Sequence, residues 1–217
     1  MLLAARDEDG NTMVGRQVRD EVMTFVGAGL ETTSLTLCYA LYLLSQNPDA
    51  EARLAEEIDC VLDGRPPQPE DLPRLEYTAK VVKESMWLFP PAWAISRDST
   101  GPVEIGGYRF PAGTCFFLNT WAIHRDPHFY DSPGRFEPER WTPDFTTRLP
   151  RYAYFPFGGG QRMCIGAGFA KIEATLILAA IVQKFRLTPV PKWRLRLDPA
   201  VVLRPKGGVP MRVEERS

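Results

Sequence analysis

Between Val22 and Leu44 the chain is apolar nearly all round, and this periodicity predicts one long helix over residues 18–46, buried through the middle of a domain. Asn47-Pro48 ends it. Pro48 suits the first turn of a second helix, "PDAEARLAEEIDCVLDG", whose apolar positions share one face and which Gly64 closes in a left-handed cap. "RPPQPEDLPR" is a proline-rich connector. A third helix is predicted over 75–89, where Pro90-Pro91 remove two backbone donors and stop it.

The period then shortens. "AWAISR", "VEIGGYRF" and "PAGTCFFLN" are β-like runs separated by Gly and Pro, which predicts a small twisted sheet and too few strands for a sandwich. "HRDPHFYDSPGRFEPERWTPDFTTRLPRY" is irregular but too aromatic for a disordered linker, so it is expected to be pinned against a core. A last helix is predicted over 164–184. In the tail "VVLRPKGGVPMRVEER", Gly207-Gly208 between apolar runs reads as a hairpin. The fold class is therefore mainly α with small β sheets (α+β). "MLLAARDEDG" at the start reads as the end of a helix running into an Asp-Gly turn, with nothing before it to pack against. That predicts a truncated chain.

Composition narrows the picture. With 217 residues, 44% of them hydrophobic, and five Trp, the chain can bury a sizeable core. Lys plus Arg (26) balance Asp plus Glu (27), so no net field points to nucleic acid or an anionic membrane. The most apolar run, "LTLCYALYLL", is too short to span a bilayer, and no basic-then-apolar signal layout is present. Four cysteines without CxxC spacing and two histidines argue against a zinc cluster and for a reducing, cytoplasmic setting.

One cysteine stands apart. Cys164 follows three consecutive glycines and opens a predicted helix, so the helix N-terminus favours a thiolate, the glycines admit a close ligand, and Arg162 adds a cation. For an arbitrary cysteine the plainer reading is a small buried apolar residue. A phosphate loop is excluded because no GxGxxG unit or Gly-Lys-Ser/Thr follows.

"FGGGQRMCIG" matches Phe-x-x-Gly-x-Arg-x-Cys-x-Gly through Phe157, Gly160, Arg162, Cys164 and Gly166, and in this it resembles the haem-thiolate signature of cytochromes P450. The resemblance runs along essentially the whole chain in the family's order. It implies haem b, with Cys164 as iron ligand and Phe157, Gly158, Arg162 and Gly166 lining the cofactor. "AGLETT" is similar to the family's distal-helix motif, which implies that Ala28 and Gly29 lie against the haem and that Glu31 and Thr32 handle protons for bound oxygen. Gly27 and Gly29 cost about 1 kcal/mol each in a helix interior, which a ligand pressed against that face explains. The alternative for Thr32 is a hydrogen bond back to the preceding turn.

"ISRDS" and "AIHRDP" look like the family's propionate-positioning segments, making Arg97 and His124 candidates beside Arg162; His124 equally suits a structural hydrogen-bonding role. "FEPERW" supplies Arg140, which in the family braces the cysteine loop with a Glu-x-x-Arg pair. Here that pair reads "ESMW": Glu84 is in place and Trp87 stands where the arginine belongs.

The resemblance implies the C-terminal portion of a P450 domain, the N-terminal half being absent from residues 1–217. The expected activity is monooxygenation: one oxygen atom of dioxygen enters a small apolar organic substrate, with electrons from a ferredoxin or flavoprotein reductase. A haem-binding module without turnover and an inactive truncated remnant are the alternatives.

Overall fold

Helix α1 (Gly15–Gln46) starts three residues earlier than its apolar pattern, because the Gln17 side chain reaches back to accept the Val14 N–H at 2.9 Å and so secures the first turn. The computed structural model describes residues 2–6 and 8–216. At its other end the Asn47 side chain and N–H bond the Leu43 and Leu44 carbonyls, and α2 (Pro48–Leu62) begins directly with Pro48 at its first turn. Helix α2 closes through Asp63 and Gly64, both in the left-handed region; the cap predicted at Gly64 alone begins one residue sooner, on an Asp, which tolerates that conformation.

The proline-rich connector is held by a fork. Arg65 clasps both carboxylate oxygens of Asp71, at 2.7 and 2.5 Å, while Asp71 also accepts the Gln68 N–H. Helix α3 (Glu76–Leu88) follows, its N-terminus capped from α2 by the Glu57 carboxylate, which accepts the Tyr77 and Thr78 N–H groups and the Thr78 hydroxyl.

β1 (Ile95–Asp98) ladders antiparallel with β4 (Cys115–Leu118); between them β2 (Val103–Ile105) and β3 (Tyr108–Phe110) form a hairpin about Gly106-Gly107, both at positive φ. The single small sheet predicted here is two separate ladders. After α4 (Thr120–Ile123) and α5 (Pro143–Arg148) comes α6 (Ala167–Lys184), which runs straight into β5 (Phe185–Pro189). The last ladders pair β6 (Leu197–Pro199) with β7 (Leu203–Pro205), and β5 with β8 (Met211–Glu215). Gly207-Gly208 does turn the chain, both at positive φ, but its flanks join different ladders, so the predicted terminal hairpin does not form.

The core lies where α1, α2, α3 and α6 meet, around Ala40, Leu54, Ile58, Val81, Trp87 and Leu178. The aromatic segment after α4 is pinned to it as expected, through Tyr130, Phe136 and Trp141. Only the second half of α1, from Thr33 onward, is buried there. In its first half Val22, Met23, Phe25, Val26 and Leu30 are exposed, Leu30 by 70%. The opening residues form one 3-10 turn, Leu2–Ala4, and a bend closed by an Arg6–Thr12 bridge; Met1 and Asp7 lie outside the described residues.

Candidate functional site

The cysteine loop is shaped by its glycines. Gly158 and Gly160 sit at φ +72° and +68°, and a β-carbon on Gly159 would run into the Tyr152 ring. Gly158 N–H bonds the Phe155 carbonyl at 2.9 Å, Met163 N–H bonds Gly160, and Cys164 N–H bonds the Phe157 carbonyl at 2.9 Å. These bonds fix the backbone of Cys164 while its thiol stays exposed and free of any disulfide. Gly166, whose absent β-carbon would stand 3.8 Å from Sγ, leaves that flank of the sulfur open. Helix α6 begins at Ala167, so Cys164 precedes the helix by a short turn and does not open it as predicted: the turn closed by the Ala167 N–H on the Cys164 carbonyl intervenes.

Strand β1 packs on this loop. Ile95 Cδ1 lies 3.3 Å from where a Gly158 β-carbon would stand, and Arg97, two residues on, shares that face of the strand. The Arg97 guanidinium is exposed and bonds only the Ser96 carbonyl; Arg162 is exposed with no hydrogen bond or ion pair among the described residues. Both forks are available to an anionic group near the thiol.

His124 is not. It is fully buried, Nε2 accepts the Phe155 N–H at 3.2 Å, and Nδ1 therefore carries the proton and donates to the Trp87 carbonyl at 3.0 Å. With both nitrogens spent on backbone groups it has none for a propionate, and the contact expected from the sequence gives way to a structural role: His124 staples the cysteine loop to the end of α3. Burial, against the pull of the Trp87 carbonyl and helped by nearby Arg125, pushes its pKa down to about 4. A depressed histidine favours the fold fully above its ordinary value of 6.5 and loses that contribution as pH falls toward 4, about 3 kcal/mol in all. Urea unfolding at pH 7 and at pH 4 is therefore expected to show wild type losing about 3 kcal/mol more than His124→Phe, which cannot titrate.

Behind the loop, Glu84 is fully buried and serves three donors: Glu137 N–H at 2.7 Å and Arg140 Nε at 3.1 Å on one oxygen, Trp141 Nε1 at 2.7 Å on the other. Arg140 completes its edge with the Asp131 and Arg135 carbonyls. Trp87 is wholly buried, its ring 4.6 Å beneath the Arg140 guanidinium carbon. Burial drives the Glu84 carboxyl up to about 7, with Arg140 pulling the other way. Trp141 was not picked out from the sequence, although a buried tryptophan N–H needs an acceptor and so signals one.

On α1, the Thr32 hydroxyl donates to the Ala28 carbonyl at 2.8 Å, the back-bonding alternative, which leaves its lone pairs able to accept. Glu31 lies 3.4 Å from Arg204, both half exposed, in a pairing the sequence did not suggest. Nothing stands within 4 Å of the β-carbon positions of Gly27 or Gly29, so the face around Ala28 is open.

Could this site hold a prosthetic group? One free thiol is present without a partner ligand, and no cluster of His, Cys, Asp or Glu among the described residues can hold a bare metal ion. That donor set would suit a metal macrocycle that carries its other ligands itself and takes one sulfur from Cys164, with the exposed Arg97 and Arg162 for its carboxylates.

The chain is similar to proteins named as oxygenases. It is 44% identical over 94% of its length to cyclooctatin synthase of Streptomyces melanosporofaciens, and 44% identical over 88% to pentalenene oxygenase of Streptomyces avermitilis. It is 43% identical over 88% to cyclooctat-9-en-7-ol 5-monooxygenase of Streptomyces melanosporofaciens. It spans 44%, 42% and 42% of those proteins respectively. A crystal structure described as a cytochrome P450, CYP102L1, superposes on 99% of the chain with a TM-score of 0.92 at 30% identity, the chain covering 49% of it. The Cytochrome P450 family model matches residues 1–210, and with the thiol loop, the α1 motif and the Glu84–Arg140 brace in the family's order, the chain belongs to the cytochrome P450 family.

Proposed function

We propose that this chain is the haem-ligating, C-terminal portion of a monooxygenase that inserts one oxygen atom of dioxygen into a cyclic terpenoid. The observation that carries the reading is the exposed Cys164 thiol, held by its backbone to Phe157 in a glycine-shaped loop, with the exposed guanidinium of Arg97 tied only to the neighbouring Ser96 carbonyl and Arg162 without a side-chain partner among the described residues. Haem b bound there supplies one-electron and dioxygen chemistry. Cys164 gives the sulfur ligand, Arg97 and Arg162 grip the propionates, and Phe157, Gly158, Gly166, Ala28 and Gly29 provide surfaces that a flat macrocycle can approach closely. The Thr32 hydroxyl, anchored on Ala28, accepts and passes protons that Glu31 exchanges with solvent; their exposure at the open face of α1 supports the assignment.

The substrate class rests on two things. Relatives are named for terpenoid oxygenation, and the chain presents apolar surface: the Trp93 ring meets that of Phe117, exposed on β4, at a tilt with centroids 6.1 Å apart, and Val201 is 92% exposed at the turn between β6 and β7. The Trp93 N–H donates to the Ala200 carbonyl at 2.9 Å and ties those loops together. No helix among the described residues is long and apolar enough to cross a membrane, which suits a cytoplasmic enzyme fed by a ferredoxin or flavoprotein reductase.

A second reading, a haem-binding module without turnover, is favoured by one observation. The apolar residues Val22 to Leu30 are exposed, so the described residues do not close a water-free pocket over α1. Reducing one portion of the haem-supplied chain under carbon monoxide, and giving a second portion, in air without carbon monoxide, a reduced nicotinamide cofactor, a ferredoxin, its reductase and a cyclic terpene hydrocarbon, separates the two. A red-shifted Soret band with a product gaining one oxygen atom is expected; the band without product selects the module, and no bound haem overturns both.

A further inference from the structure

The Arg140 guanidinium is surrounded in its plane. Its Nε meets Glu84 at 3.1 Å, Nη1 the Asp131 carbonyl at 3.1 Å, and Nη2 the Arg135 carbonyl at 2.9 Å and the Glu137 carboxylate at 3.5 Å. A guanidinium donates only along its edge, so what remains for a neighbour is the flat face. That face lies over the Trp87 ring, its carbon 4.6 Å from the centroid, with 7% of the Arg140 side chain exposed and none of Trp87. A desolvated cation over an indole face is the strong form of the cation–π contact.

We propose that Trp87 is a positioning residue for the cysteine loop, its ring clamping Arg140 in register with Glu84 where the family's arginine would make an ion pair. The inference rests on the assignment of Cys164 as haem ligand for its consequence, and on the Trp87–Arg140 contact for its cause. An arginine at position 87 would enter against the face of Arg140, where it can donate nothing and two cations would face one buried carboxylate. The clamp is connected to the loop on two sides. The Tyr130 ring, 4.9 Å from Trp87, sends its hydroxyl to the Ala153 carbonyl, and the Trp87 carbonyl receives His124, which holds Phe155. Trp87 is thus an adaptation of the brace, not a lesion in it.

The contact has one poorly served atom. Trp87 Nε1 is buried without a hydrogen-bond partner among the described residues, so phenylalanine keeps a ring face and deletes an unpaired donor, while leucine keeps only apolar bulk. The test compares Trp87→Phe, Trp87→Leu and Trp87→Arg in the full haem-supplied chain, reading the fraction of ferrous–carbon monoxide complex that shows the thiolate band. Trp87→Phe is expected to keep most of it, Trp87→Leu to lose more than half, and Trp87→Arg to lose nearly all.

A double-mutant cycle of Trp87→Leu with Arg140→Met, followed by urea unfolding without added haem, is expected to show coupling of roughly tenfold or more in the folding equilibrium. Thiolate content that rises in Trp87→Arg, equal behaviour of the Phe and Leu variants, or a cycle without coupling would each overturn the proposal. Absence of haem from wild type would overturn the ligation assignment instead, and the unfolding cycle would still decide the clamp.

Discussion

Cys164→Ser is expected to abolish the red-shifted Soret band of the reduced carbon monoxide complex while leaving the fold almost untouched. A hydroxyl replaces the thiol atom for atom, but it ionises far above physiological pH and gives iron no thiolate. The fold is indifferent because the structural work at this position is done by the backbone. Cys164 N–H bonds the Phe157 carbonyl, its carbonyl receives Ala167 N–H, and the loop's shape is set by Gly158 and Gly160. The side chain is exposed and in no disulfide, so a serine there forfeits little burial. The urea midpoint should therefore move by no more than about 0.5 kcal/mol in free energy, the usual range for an exposed site. The controls are the other thiols. Cys60 and Cys115 are exposed as well, and Cys38 is half-buried in α1 with its thiol pushed up by burial, so Cys60→Ser and Cys115→Ser should keep the band. Loss of the band from Cys115→Ser and its survival in Cys164→Ser would move the ligand to another loop.

What could be read along the chain was local, and what could not was the partner across space. Helix α2 shows why: one apolar face, a proline in its first turn and a left-handed stop are all written in 17 consecutive residues. Gly207-Gly208 shows the limit. The turn is real, yet β8 pairs with β5 and β7 with β6, because strand pairing is decided by what α6 delivers to the same place, not by the turn alone. The site divides the same way. The Cys164 loop and the Glu84–Arg140 brace carry their chemistry in short motifs. His124 does not, since a histidine beside a turn looks alike whether it meets a propionate or, as here, two backbone groups of other segments. Trp87 reads in sequence only as a missing arginine; the Arg140 face over its ring belongs to the folded chain.

The second large effect is expected at Glu84. Glu84→Ala should cost about 3–5 kcal/mol, the usual loss when one member of a buried charged network is removed, against a typical domain stability of about 5–15 kcal/mol. The loss has three parts, one for each donor left without an acceptor: the Glu137 N–H, the Trp141 N–H and the Arg140 guanidinium. Arg140 dominates because it keeps its charge in a nearly dry site, and the Trp87 face with the more exposed Glu137 carboxylate at 3.5 Å neutralises it only in part. If uncompensated charge is the cause, removing the cation as well should restore part of the stability. Glu84→Leu combined with Arg140→Met is therefore expected to unfold at higher urea than Glu84→Leu alone, by about 1–3 kcal/mol in free energy. The same double variant should not recover the thiolate band, because the hydrogen bonds from Glu84 to residues 136–141 are then gone although the charge has been balanced. Stability regained without ligation regained separates the two tasks of this brace, neutralising its own charges and holding the ground on which the cysteine loop stands. A double variant no more stable than the single one would mean that packing around Glu84, not charge, sets the cost.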